Sequence, residues 1–443
     1  MPALHVDVAV LGAGTAGAAT ALHCARRGMR VLLIDKQQRD ACGARWVNGV
    51  NVRQFAEADI ALPVGDECIS DPVNFHLIAQ YGPSRVVVPG DVHGIMDVDM
   101  RLLVQRLQDD AEAQGVVFLD GVDVTSSDDE LRRGEVRIGD DTYRAKVVVD
   151  ASGLAGRHLL QGPRVPREHI CVASQAVFDV KDHNKADAFF ERNGVPVGEV
   201  CCFSGVEGGY SIINVRKDDD HIAILTGSIP ALGLQPGGKM LDDFVAEHDD
   251  IFGERLFGGT RAIPLRRPRD VMGDGRVAAV GDAACQVFSA HGSGIAQGMI
   301  AGRVLAEVLS GGGTPADYSR AFLRRHGGLL AAYDLFRRLS STFSPDDLRL
   351  LMQSGLFDAH AAGSGMAQVW PQGSLDMAFS KLLALPKARR MLPRLAPVAA
   401  KMGLVAALYA NVPDDDDGLV EFSKRVARVF GEAPDLGQQR LAA

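Results

Sequence analysis

Three short stretches of this 443-residue chain carry residue types and spacings that could act on one ligand. The first is Gly12-Ala13-Gly14-Thr15-Ala16-Gly17, which follows an apolar run from Val6 to Leu11. A second apolar run, Val31 to Ile34, ends on Asp35 and Lys36. A glycine turn leaving a strand lets backbone approach a diphosphate. Gly12 makes the tight bend, Gly14 admits the pyrophosphate, and Gly17 lets the next helix lie close to the sheet. The helix start at Thr15 and Ala16 adds unpaired N–H groups and a partial positive charge. Asp35 stands eighteen residues after Gly17, where a carboxylate can accept both hydroxyls of an adenosine ribose. With strands on both sides and an acid at the end, the pattern reads as a dinucleotide cradle.

The other two stretches also sit at strand ends. Ala145 to Val149 leads into Asp150-Ala151-Ser152-Gly153, and Val277 to Val280 leads into Gly281-Asp282. After a loop, Gly292-Ser293-Gly294 opens a helix at Ile295. Such uninterrupted branched runs predict buried parallel strands. Val98 to Gln114 predicts a helix with Leu102, Leu103, Leu107 and Ala111 on one face. Short strands are expected at Val86–Val88, Val116–Leu119, Val122–Thr125 and Val136–Ile138. From Ile170 to Ser228 the pattern alternates, which predicts a mostly antiparallel sheet. Gly294, Gly298 and Gly302 leave one helix edge bare, each interior glycine costing about 1 kcal/mol relative to alanine. That edge is expected to press on a sheet or a cofactor. Beyond Pro315 the chain reads as helical, with breakers including Pro371, Pro393 and Pro397.

Together these strand ends resemble the flavoprotein superfamily of para-hydroxybenzoate hydroxylase and the geranylgeranyl reductases, over roughly residues 5–310. In that superfamily Gly-Asp-Ala-Ala precedes a loop and a Gly-x-Gly helix start, matched by Gly281–Ala284 and Gly292–Gly294. The resemblance implies FAD. Its ADP half would lie at Gly12, Gly14, Thr15, Ala16, Gly17, Asp35 and Lys36, and its flavin half at Gly281, Asp282, Gly292, Ser293, Gly294 and Ile295. Asp282 would accept from the ribityl chain, and the helix start would stabilise the reduced ring. The implied fold is α/β. A Rossmann-like, glutathione reductase-type FAD domain would be assembled from residues 1–75, 98–165 and 266–315. A mostly antiparallel substrate domain would come from 76–97 and 166–265, and a helical cap from 316–443. Three positions depart from the superfamily's pattern, one being Gly156, which replaces a common serine after the second strand-end turn. Ser289 replaces a proline in Ser289-Ala290-His291, and Met100 replaces a flavin-contacting arginine, which makes Arg101 and Arg45 candidates for the FAD phosphates.

The reaction follows less directly. Cys42-Gly43 and Gly209-Tyr210 point to the reductase branch, but its Tyr-x-Trp-x-Phe-Pro stretch is here Tyr210-Ser211-Ile212-Ile213-Asn214-Val215. Halogenation is disfavoured, since no lysine lies between Lys36 and Lys146. The first expectation is a monooxygenase acting through a flavin C4a-hydroperoxide on a hydrophobic or aromatic biosynthetic substrate. The alternative is an FAD-dependent C=C reductase or dehydrogenase. His291, Cys42 and Ser289 are the catalytic candidates, His291 as the group that positions or deprotonates substrate. Tyr210, Ile212 and Asn214 are expected to line the substrate. Only one dinucleotide fold is present, so electrons would come from transiently bound NAD(P)H or a separate reductase.

Composition bounds the rest. A net charge of −9, with arginine pairs such as Arg266-Arg267 and Arg389-Arg390 scattered among acids, argues against nucleic acid. Those pairs are expected on solvated faces. Seven irregularly spaced cysteines suit neither a disulfide framework nor a metal site. The first strand starts too early for a leader peptide, and no apolar run reaches a bilayer span, which together predict a cytoplasmic protein. Carrier- or peptide-bound forms of the substrate are compatible. The apolar, basic segment Leu382–Tyr409 is compatible with peripheral membrane contact, although a helical cap is expected.

Overall fold

Branched apolar runs without polar interruption form the first sheet, as strands buried on both faces require. The computed structural model describes residues 4–160, 162–371 and 385–436. The sheet order is Gly273–Asp274, Val277–Ala279, Asp141–Asp150, Leu4–Leu11, Val31–Ile34 and Val117–Leu119, with Glu135–Ile138 antiparallel to Asp141–Asp150. Leu11 lies opposite both Ile34 and Asp150, and Asp150 opposite Ala279. Four parallel strands therefore end at one level, three of them leading into the turns at Gly12, Ala151 and Gly281. The chain leaves Leu4–Leu11 on one side and returns on the other, and ligands bind open α/β sheets at such a reversal.

The second sheet runs Phe252–Pro264, Ile170–Val180, His221–Ser228, Ser211–Lys217, Val200–Ser204, Phe75–Ala79 and Arg85–Val88. It is antiparallel except where Val200–Ser204 pairs with Phe75–Ala79. Alternation sorts its faces: Ile213 and Val215 join Phe189, Phe203 and Phe244 in a core, while Ile212, Asn214 and Arg216 face a cavity. A small third sheet, Val47–Asn51, Ile95–Asp99 and Cys68–Ser70, lies against it. Gln175 fastens the two, accepting from the Val47 N–H (2.8 Å) and donating to the Val47 carbonyl (2.6 Å).

Several expectations are corrected. Val122–Thr125 is no strand, because Val122 donates to the Asp35 carbonyl and Thr125 to that of Arg137, two different partners. The helix expected from Val98 begins at Met100, since Asp99 ends a strand and caps the Arg101 N–H. At Gly298 and Gly302 the bare glycine edge meets a helix rather than a sheet, while Gly294 lines the cavity. A Cβ on Gly298 would lie 2.8 Å from the Ala16 Cβ, and one on Gly302 would lie 2.6 Å from the Thr20 Oγ1. Pro397 sits inside the helix Leu392–Ala410 rather than ending one. The 22-residue stretch Arg389–Ala410 is long and apolar enough to cross a bilayer by length and composition. Residues 382–384 of the apolar segment lie outside the described residues.

Arg266 and Arg267 are not on a solvated face. They enter a buried knot with Arg269, Arg337 and Arg338 against Asp270, Asp334, Glu432 and Asp435. Arg269 pairs with Asp435 at 2.9 Å, Arg267 with Glu432 at 3.0 Å, and Arg337 with Asp334 at 2.7 Å. Burial opposes ionisation of Asp334, but Arg338 and Arg337 hold its carboxyl well below the ordinary range.

Candidate cofactor and substrate site

A cavity of about 1820 Å³ is lined from all three sheets and from the C-terminal helices. At one end lie the three coincident strand ends. Gly12 has φ +107°, and a Cβ there would stand 2.4 Å from the Ala151 carbonyl oxygen. A Cβ on Gly17 would stand 1.8 Å from the Gly12 carbonyl oxygen, so both positions need glycine. Gly14, Thr15 and Ala16 line the cavity, as do Gly281, Gly292, Ser293, Gly294 and Ile295. Neither Gly14 nor Gly294 caps its helix with a side chain, so both first turns keep N–H groups for a ligand.

Two carboxylates complete this end. Asp35 accepts from the N–H groups of Ala13 (2.7 Å) and Gln37 (2.9 Å), and each oxygen keeps acceptor capacity. Lys36 lines the wall beside it. The Asp282 carboxylate receives no hydrogen bond among the described residues; burial raises its pKa to about 6, with Arg261 opposing. Clustered amides suit an anionic diphosphate, and carboxylates with spare lone pairs suit ribose and ribityl hydroxyls. The donor set fits FAD.

The flavin-side loop meets the second sheet at Tyr210. A Cβ on Gly292 would lie 3.3 Å from the Tyr210 hydroxyl, which has no protein partner among the described residues. Burial pushes that phenol well above its ordinary pKa, so it keeps its proton. His291 lines the cavity beside Phe288, with ring centroids 4.9 Å apart. Its Nε2 is buried without a partner, and burial lowers the imidazole pKa to about 4, leaving it neutral. Ile212 and Asn214 line the wall as expected, and the buried Asn214 Oδ1 has no partner. Further on the lining is apolar, with Leu77, Phe343, Leu348, Met352, Phe357 and Met366.

Other expected residues are not brought to the cavity. Ser289 is fully buried and contributes nothing to the lining. Cys42 points its sulfur at the Gln38 carbonyl (3.5 Å), and burial pushes its thiol up to about 12, so no reactive thiolate forms. Arg45 is exposed and donates to the Asp40 carbonyl. Arg101 does line the cavity, but its guanidinium grips Asp99 and stacks on Phe257, 3.6 Å from the ring centroid. Arg261 was not foreseen. It reaches from the second sheet to donate to the Gly43 carbonyl, and its charge opposes the rise in the Asp282 pKa. No local pattern marks it, because its partner is 218 residues away. Cys202 faces the cavity while Cys201 faces the core, so the vicinal thiols are not paired. No group of three metal-ligating side chains exists among the described residues.

Comparison with known proteins agrees with this site. A family model described as FAD dependent oxidoreductase matches residues 7–86. The chain is 25% identical to a digeranylgeranylglycerophospholipid reductase of Sulfolobus acidocaldarius, covering 98% of this chain and 99% of the relative. A geranylgeranyl bacteriochlorophyll reductase-like structure from Thermoplasma acidophilum superposes with a TM-score of 0.66 at 16% identity, covering 89% of this chain and 99% of that one. A probable FAD-dependent monooxygenase from Pseudomonas aeruginosa gives 0.57 at 17% identity, over 78% and 98%. The fold class and the family resemblance read from the sequence are borne out.

Proposed function

Taking the chain as an FAD-dependent oxidoreductase of the para-hydroxybenzoate hydroxylase and geranylgeranyl reductase-like superfamily, we propose that it reduces a carbon–carbon double bond in a long apolar substrate. The observation that carries this reading is the junction at Tyr210. There a protonated phenol stands between the cofactor-binding loop and an apolar channel. FAD, when bound, supplies the electron pair and is re-reduced by NAD(P)H or a partner reductase. The chain's own residues do the rest. The amides of the two helix starts hold the diphosphate and ring edge, and Asp35 and Asp282 accept from the hydroxyls. Phe343, Leu348 and Met352 exclude water and hold the substrate's chain.

Reduction of an alkene leaves one carbon in need of a proton, and Tyr210 is placed to deliver it. His291, neutral and with its buried Nε2 unpaired, lines the same end of the cavity and is placed to orient the reacting end once that ring turns toward it. The oxygenation reading, which the sequence favoured, has weaker support because reductase names dominate the sequence relatives.

The test is anaerobic. Protein reduced with dithionite is mixed with a geranylgeranyl glycerolipid, and flavin absorbance and product mass are followed. Flavin reoxidation without oxygen and a two-hydrogen gain are expected, with Tyr210→Phe slowing the step roughly 100-fold or more. A product formed only with oxygen and one oxygen atom heavier would establish the monooxygenase instead.

A further inference from the structure

The helix Leu392–Ala410 lies on the outside of the C-terminal region. Tyr409 anchors it, fitting against Gly327 and Gly328, whose added Cβ atoms would stand 2.4 and 3.3 Å from that ring and its Cβ. On the opposite side Ala396, Pro397, Ala400, Leu404 and Ala407 recur at helical spacing and are exposed. Leu404 keeps 51% of its surface in solvent. Charge distinguishes this stretch from the rest of the chain. Residues 385–411 contain no Asp or Glu but five basic residues, in a chain of net charge −9. Lys387, Arg389 and Lys401 are exposed and have no acidic partner among the described residues. The inner side of the same helix reaches the site, since Leu395 and Met402 line the cavity. Pro371 lines it too, and Trp370 beside it is 42% exposed.

We propose that this helix seats the protein on an anionic lipid surface, lying in the headgroup plane, with apolar substrate passing from the bilayer to the cavity beneath it. The second half of that statement rests on the function proposed above. An apolar stripe flanked by lysine and arginine is the composition of an interfacial helix. The helix lies on the bilayer rather than crossing it. Its inner side is committed to the protein through Val405 and Tyr409, and Arg394 is tied to Asp347 at 2.7 Å. A second copy of this chain is the poorer occupant, because pairing the same face with itself would bring like charges together.

Full-length, FAD-loaded protein is sedimented with vesicles of phosphatidylcholine alone or with phosphatidylglycerol added. Binding is expected to be at least 10-fold stronger to the anionic vesicles and to weaken with salt. It should fall at least 10-fold in Lys401→Glu and in Leu404→Glu, with FAD content, melting temperature and reduction of detergent-dispersed substrate unchanged. Equal weak binding to both vesicles, or undiminished binding by both variants, would overturn the proposal. So would a wild-type dimer that Leu404→Glu dissociates. Vesicle binding without double-bond reduction would remove the proposed reaction and leave the docking in place. Reduction without vesicle binding would do the reverse.

Discussion

Two regions of this molecule place charge in the interior, and they treat it in opposite ways. In the arginine knot each buried carboxylate has guanidinium partners: Asp334 has Arg337 and Arg338, and Asp435 has Arg266 and Arg269. At the cofactor end the Asp282 carboxylate has no donor among the described residues. Asp435 and Asp282 titrate in opposite directions, although Asp270, in the same knot, is itself raised by burial against the pull of Arg267. Asp435 falls to about 2, burial being outweighed by Arg266 and Arg269, whereas burial lifts Asp282 to about 6. A satisfied carboxylate holds the fold together; an unsatisfied one at a cavity wall marks a place kept for a ligand.

The largest expected effect separates the two regions by stability. Asp334→Ala removes the carboxylate partner of Arg337, one of the two carboxylates of Arg338 and the acceptor of the Arg267 N–H, and should cost about 3–5 kcal/mol in denaturant unfolding. Protein that remains folded should still bind FAD with native affinity. If Asp334→Ala instead lowered FAD affinity without loss of stability, the knot would belong to the site and the contrast would fail.

Asp282→Asn should show the converse. Losing a charge-assisted acceptor for a cofactor hydroxyl is worth about 1.5–3 kcal/mol, or roughly 10- to 100-fold in FAD dissociation constant by fluorescence titration. The FAD-free variant should be no less stable than the wild type.

The smallest effect is a pH slope. With its folded pKa raised to about 6 from 3.8, Asp282 binds its proton more tightly in the folded chain. It therefore favours folding at low pH, and this contribution is lost as pH rises from about 4 to 6. Asp435, lowered to about 2, has the opposite sign: its contribution is present above about 4 and is lost as pH falls toward 2. Subtracting the FAD-free Asp282→Asn stability curve from that of the wild type should leave a declining slope between pH 4 and 6. A flat difference would place Asp282 among the satisfied carboxylates.

Sequence reading recovered what is contiguous and regular. Val6 to Asp35 is one strand–turn–helix–strand unit, and Ile212 and Asn214 lie on the cavity wall as expected. Irregular loops defeated it. Cys42, Arg45 and Ser289 each adjoin a residue that lines the cavity, yet none lines it, because loop adjacency fixes position without fixing side-chain direction. Arg266 and Arg267 looked like surface charge because their partners, Asp435 and Glu432, lie more than 160 residues away. Arg261 was invisible for the same reason.

The glycine edge of the helix Ile295–Ser310 has a consequence for ligand choice. Since Gly298 meets Ala16 and Gly302 meets Thr20, that helix and Thr15–Arg26 run in the same direction with their beginnings abreast. Neither has an acid in its first turn. Two like poles thus lie side by side, a repulsion that an incoming anion would relieve. A nucleotide carrying a diphosphate is therefore expected to gain more here than a neutral nucleoside, through the way two helices pack on each other rather than through any one side chain.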